Sequence, residues 1–267
     1  MTADTKTLLL AREDGVLWIR LNRPDNGNGI DPVMTSELRT TFLDADADPS
    51  VRALVVTGVG KDFCTGADLA ASPATSEGGT APLLDYRRSM APYQDLFRIY
   101  WELETPVVSA VNGTIAGAGW MLGLLADLVV AAEGARWVHV FARRGMVPHA
   151  GDPFFLPRIL PFHKLNEAAL TGERFTSETL NEWGAVNRLV PVGEVESTAR
   201  ELAVKVAAGP TRSLGQAKRL YRRSLVSDMV TSFAEEAAAT ALVSQTHDRI
   251  EGFKSLIEGR RPVFTGE

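Results

Sequence analysis

Two short runs of small residues are placed to hold a substrate oxygen with backbone N–H groups. The first lies within residues 106–127, where the β-branched run Val107–Val111 ends in Asn112-Gly113 and the turn Gly117-Ala118-Gly119 opens an apolar helix. Small residues let backbone donors approach a ligand without a bulky Cβ in the way. A helix start adds unpaired N–H groups and the positive end of its dipole. The second run is Phe63-Cys64-Thr65-Gly66-Ala67-Asp68-Leu69, which follows the strand-like Ala53–Gly58. Two donor turns on separate elements that bracket one carbonyl oxygen make an oxyanion hole. The competing reading is two tight strand–helix connections.

The rest of the composition narrows the chemistry. The chain has 267 residues, 28 Lys and Arg against 33 Asp and Glu, and a net charge of −5. A mildly negative surface gives no support for nucleic-acid binding. The single cysteine, Cys64, excludes an intrachain disulfide and points to a reducing, cytoplasmic location. Cys64 has no evident activating neighbour, so a small buried hydrophobe is the expected role. No apolar run reaches membrane-spanning length, and the N-terminus lacks a signal-peptide pattern. There is no P-loop, dinucleotide fingerprint or zinc-type spacing, so neither a metal nor a resident cofactor is expected.

The elements that must position these turns are legible from periodicity. Residues 6–22 read as two strands joined near Asp14-Gly15. The near-continuous apolar run Val16–Leu21 suits a strand covered on both faces. Helices are expected over Asp31–Asp46, Leu83–Leu103 and Gly119–Leu125. Strands are expected over Val51–Gly58, Val107–Val111, Leu128–Ala132 and Arg136–Val140, and Ser72–Pro82 reads as a loop. The alternation implies an α/β core with mostly parallel strands. From Ser177 the pattern turns helical: Ser177–Trp183, Gly193–Ala208, Thr211–Ser224 and Ser227–Ile257, the last long enough to require a break.

The order and spacing of these motifs resemble the crotonase (enoyl-CoA hydratase/isomerase) superfamily. Leu21-Asn22-Arg23-Pro24 looks like its opening motif, Phe63–Leu69 its first donor turn, and Ala110–Asp127 its second. Arg143–Pro148, Phe155–Arg158, Leu170–Gly172, Ala185–Asn187 and Glu251-Gly252 continue the match. The resemblance implies a ββα superhelix with a C-terminal helical region. It further implies an acyl-CoA-binding core over 1–200, a trimerisation region over 201–267, and homotrimers or dimers of trimers. It implies an acyl-CoA thioester substrate that brings coenzyme A with it, and an enolate held by the N–H groups of Ala67 and Ala118. Thr65, Gly66, Asp68 and Gly117 would line the same site. Arg23, Lys61, Arg260 and Arg261 are candidates for the coenzyme A phosphates, with surface ion pairs as the alternative.

The chain also departs from that pattern. The two glutamates that activate water in the family's hydratases fall on Met121 and Phe141. Neither side chain transfers a proton, and each lost acid–base group removes roughly 10²–10⁴ in rate. A third position carries a carboxylate in isomerase and dehalogenase branches, and here it is His149. Histidine is a competent base near neutral pH. Asp152 either orients His149 or, standing before Pro153, caps a helix. The cap is the favoured role. On a strand, Trp137, His139 and Phe141 share a face, so His139 reaches either the pocket or the core. Trp120, Met121, Phe141 and Phe154 would make a bulky apolar acyl pocket. Three functions follow: proton transfer by His149 in isomerisation, hydrolysis or C–C cleavage with His149 activating water, and acyl-CoA binding without catalysis. A histidine in an acid/base position favours the first.

Overall fold

A computed structural model describes residues 5–68 and 83–267, with only the backbone described from 83 to 87. Leu69 and the loop expected at Ser72–Pro82 lie outside the described residues. Among the described residues ten strands form two sheets. The larger has the order β1 (Leu8–Glu13), β2 (Val16–Leu21), β3 (Ala53–Gly58), β5 (Val107–Val111), β7 (Leu128–Ala132), β10 (Arg188–Val190). Only its β1–β2 pair is antiparallel, joined by Asp14 at φ 53° and Gly15 at φ 75°. The smaller sheet has the order β4 (Asp62–Cys64), β6 (Thr114–Ala116), β8 (Arg136–Val138), β9 (Arg174–Thr176).

Three of the long strands, β3, β5 and β7, each feed a short one and then a helix. The three turns are β3–β4–α2 (Leu83–Glu102), β5–β6–α3 (Gly119–Leu124) and β7–β8–α4 (Asp152–Ile159). This is the ββα superhelix the resemblance implies. Both faces of the central strands β2, β3, β5 and β7 are buried, which explains their unbroken apolar runs. On one face Leu17, Ile19, Leu54, Val56, Val107 and Val111 join a core with α1 (Pro32–Ala47) and α2. α1 starts where Asp31 accepts from the Met34 N–H at 2.7 Å and Pro32 opens the first turn. Met34, Leu38, Phe42 and Ala45 recur on its buried side. On the other face Val16, Trp18, Ala53, Val55, Val108, Ala110 and Val130 meet α7 (Val195–Ala207). Ala199, Ala203 and Ala207 let that helix lie close to the sheet.

One strand end shifts, the expected break in the last helix is located, and one boundary falls within a helix. β8 stops at Val138 rather than Val140, because β6 and β9 pair with it only to there. The long C-terminal helix breaks at 244–246 into α9 (Met229–Val243) and α10 (His247–Glu258), where Thr246 caps α10 by accepting from the Arg249 N–H. Residue 200, the boundary read from sequence, falls inside α7, whose buried face belongs to the sheet. The helices clear of it begin with α8 (Thr211–Ser224). The remaining helices are α5 (Phe162–Thr171) and α6 (Ser177–Glu182).

Candidate active site

The ends of β4 and β6 bring the two donor turns into contact. β4 and β6 are parallel neighbours, so both chains leave the small sheet at the same edge. A Cβ on Gly66 would sit 2.8 Å from the Ala116 carbonyl oxygen and 3.1 Å from the Ala118 nitrogen. That approach requires glycine, as does its φ of 94°. Gly117 has φ 49°, whereas Ala118 has φ −59°, a conformation any residue adopts. Alanine at 118, where the family often has glycine, therefore keeps the turn intact. Among the described residues, neither the Ala67 nor the Ala118 N–H donates to another group. In the parallel bridge between Ile30 and Ala67, Ile30 bonds Gly66 and Asp68 and leaves the Ala67 N–H pointing away. α3 spans only six residues, so individual N–H groups rather than a macrodipole carry the site.

The opening motif holds the first turn. Thr65 donates from its N–H and its hydroxyl to Gly27 O, both at 3.0 Å. Asn28 accepts from the Arg23 N–H and donates to Val59 O and Asp62 O. Tyr93 donates to Ile30 O at 3.0 Å. Asn112 grips the end of β3, accepting from Gly58 N–H and donating to the carbonyls of Gly58 and Gly60. Asn28 and Tyr93 are positioning residues that the sequence reading missed. The run Asn26-Gly27-Asn28-Gly29, dense in turn-forming types, is the signal that would have found Asn28.

Arg23 has the ion pairs that stood as the alternative to phosphate binding. Its guanidinium pairs with Asp68 at 2.7 Å and Asp31 at 3.4 Å and donates to Gly29 O, and so staples the turn. The Asp68 carboxylate is thereby engaged, and residues 69–82 that follow it lie outside the described residues. Arg260 is paired with Glu251 and Glu258. Lys61 is exposed. Cys64 is fully buried, and burial pushes its thiol up to about 12, which matches an inert core role.

The 139–149 segment closes over the second turn. A Cβ on Gly117 would lie 3.1 Å from a methyl of Val140, so the segment abuts the donor turn. Met121 and Phe141, at the two glutamate positions, are 1% and 4% exposed. His149 is half-buried, its ring 4.8 Å from that of Phe141. Its Nδ1 lies 3.0 Å from Val147 O. A carbonyl only accepts, so this contact assigns the proton to Nδ1 and leaves the Nε2 lone pair free as a base.

His139, placed by the sequence in either the pocket or the core, and Trp120, expected in the pocket, both belong to the core. Both are 0% exposed, because the inward face of β8 and the first turn of α3 pack against each other. Trp120 meets Trp137 edge-on at 5.6 Å and His139 at 5.4 Å. His139 Nε2 lies 2.8 Å from the Asp152 carboxylate, itself 4% exposed at the side chain. Asp152 is therefore not a helix cap. Gly151 occupies the cap position of α4, and Asp152 is its first helical residue. Phe154 is exposed, with Arg158 stacked over its ring at 4.0 Å. Among the described residues, no three His, Cys, Asp or Glu side chains group to hold a metal ion.

The sheet order, the paired donor turns and the flanking motifs define an acyl-CoA enzyme fold, and sequence comparison agrees. The enoyl-CoA hydratase/isomerase family model matches residues 11–267. The chain is 32% identical over 256 residues to 1,2-epoxyphenylacetyl-CoA isomerase of Escherichia coli K12, covering 96% of this chain and 97% of that protein. It is 34% identical over 269 aligned positions to carnitinyl-CoA dehydratase of the same strain, covering 98% and 99%. An enoyl-CoA hydratase structure from Bacillus anthracis superposes with TM-score 0.90 at 28% identity, covering 98% and 100%. One from Mycobacterium smegmatis gives 0.89 at 28%, covering 97% and 99%. The chain belongs to the enoyl-CoA hydratase/isomerase family of the crotonase superfamily and is an enzyme of its isomerase or lyase type.

Proposed function

We propose that this enzyme moves a proton on an acyl-CoA thioester, with His149 as the base, and shifts a double bond rather than adding water. The carrying observation is the exchange of groups at the site. Apolar Met121 and Phe141 fill the water-activating positions, while His149, its ring against Phe141, offers a free Nε2. Ala67 and Ala118 N–H donate to the thioester oxygen. His149 Nε2 takes a proton from the carbon α or γ to the carbonyl. The C–H electron pair moves into the π system, and the oxyanion is held by the two donors. The imidazolium then returns the proton to the other end of the allylic system. The isomerase relative supports this direction. Coenzyme A enters as part of the substrate, and no cofactor is permanently held. The free Cys64 supports a reducing, cytoplasmic setting. Residues 201–267 are proposed to join chains into trimers or paired trimers, on the evidence of their exposed apolar faces.

The test follows a β,γ-unsaturated acyl-CoA in D₂O by mass spectrometry. Wild type should move the double bond and take up deuterium without hydration. His149→Ala should lower that rate by roughly 10²–10⁴ while acyl-CoA binding persists. Release of free coenzyme A would replace this reading with hydrolysis. Binding with neither exchange nor turnover of any thioester would leave a non-catalytic acyl-CoA-binding protein.

A further inference from the structure

We propose that the buried His139–Asp152 pair is the positioning pair of this site, fixing the loop that carries His149; the proposal rests on the reading of His149 as the base. Four contacts close a ring. The His149 ring lies against Phe141 at 4.8 Å. Phe141 lies against His139 at 5.0 Å. His139 Nε2 donates to the Asp152 carboxylate at 2.8 Å. The Asp152 N–H returns to His149 O at 3.3 Å. The pair thus ties the end of β8 to the start of α4, and the His149 loop is the span between them.

That span needs a tie. Ala150 has φ 60° and Gly151 φ 92°, two successive residues in the left-handed region. Such a conformation in a non-glycine residue persists only where its surroundings impose it. The first half of the span is held by Arg144 and Met146 N–H donating to Phe141 O, Gly145 N–H to Ala142 O and Arg143 Nε to Gly172 O, whereas around His149 the bond from Nδ1 to Val147 O is local to the loop and Val147 is 77% exposed. A carboxylate buried this deeply is kept only with a partner. Among the described residues the Asp152 side chain has His139 for that purpose and His139 Nδ1 has none, so the pair is built around one bond. His139 does not touch the substrate. It acts by setting where the Phe141 ring stands, and so where His149 Nε2 points.

The chain has four histidines, so each imidazole signal can be assigned by single substitution in a histidine-labelled protein. Asp152→Ala should move the His149 ring resonances and lower proton exchange about 100-fold, the scale of a misplaced reacting group, with acyl-CoA affinity unchanged. Asp152→Asn retains an oxygen acceptor for the His139 N–H and should recover most of the rate. Asp152→Ala strands a buried imidazole, so a His139→Phe/Asp152→Leu double variant guards against unfolding. Replacing both partners by apolar groups preserves packing while removing the tie. It should melt like wild type yet show displaced His149 signals and slow exchange. On a His149→Ala background neither change should slow the residual rate further. A folded double variant with wild-type His149 resonances and wild-type kcat overturns the proposal. If His149→Ala itself leaves exchange intact, the base assignment fails, and the His149 resonances still decide whether the pair positions the loop.

Discussion

Sequence at a β-strand end cannot tell a solvent-reaching histidine from a core one, and here two histidines ten residues apart stand in opposite settings. His149 keeps one nitrogen free at the edge of the site, while His139 is spent on Asp152. Cys64 illustrates the same division between reactive and structural groups. It sits in the donor turn yet is fully buried beneath it, its thiol pushed up to about 12 from 9.0. In the native protein it should resist thiol reagents at pH 8 and react only after unfolding. The folded state keeps the Cys64 proton between pH 9 and 12 while the unfolded chain loses it. Its contribution to stability is complete below pH 9 and is lost as the pH rises through 12, at up to about 1.4 kcal/mol per pH unit. A Cys64→Ala variant should show a flatter stability profile across that window, measured by urea unfolding. Identical profiles would mean the thiol ionises equally in both states. At this scale the sequence carried the donor turns and the identity of residue 149. It did not carry the His139–Asp152 bond, because thirteen residues and two element ends separate the partners.

Short elements do the positioning. β4 and β6 are three residues each and were invisible to periodicity, since three residues hold barely one alternation. Their effect is large, because they deliver Gly66 and Ala118 to one edge. Gly119 shows how tight the delivery is: an added Cβ would meet Cys64 O at 2.2 Å, a backbone atom with nowhere to go. At Gly123, further along α3, the nearest atom is the Ile115 terminal methyl at 2.6 Å, which can rotate. Gly119→Ala should therefore separate the two turns. It should cost stability in the range of core overpacking or beyond, about 1–3 kcal/mol or more, and abolish thioester proton exchange. Gly123→Ala should keep activity at a smaller stability cost, partly offset by alanine's better helix propensity. Paired melting curves and exchange assays check this, and equal losses in both variants would refute the role given to β4 and β6. The longer elements were legible for the opposite reason. Val107–Val111 and Leu128–Ala132 match their apolar runs, and Thr211–Ser224 matches the helical pattern between Pro210 and the break before Ser227.

At the scale of the whole chain, the C-terminal helices invert the usual pattern. α8 is well seated: Lys218 bonds Asp127 at 2.8 Å and Thr105 O, and Arg222 bonds Asp127 at 2.9 Å and Leu125 O. Burial pushes the Lys218 ammonium down to about 8 while Asp127 draws it up. Beyond this anchor, α10 buries Asp248 and Ser255 and exposes Ile250, Phe253, Leu256 and Ile257, with Ile257 86% exposed. α9 exposes Met229, Val230 and Phe233 on its first turn and buries only Ala239 among the described residues. Apolar faces of this extent are what the chain-to-chain contact proposed above for residues 201–267 would bury. Light scattering behind size exclusion should give three or six times the chain mass. On an uncovered helix, Val230→Glu with Ile257→Glu would be a surface change within about 0.5 kcal/mol of neutral. Buried between chains, the same carboxylates would be unpaired and should dissociate the assembly. The dissociated chain should keep its far-UV spectrum, because the sheets and α8 do not depend on those two side chains. A wild-type monomer, or an unchanged mass in the double variant, would remove these faces from the interface and assign their exposure to the isolated chain.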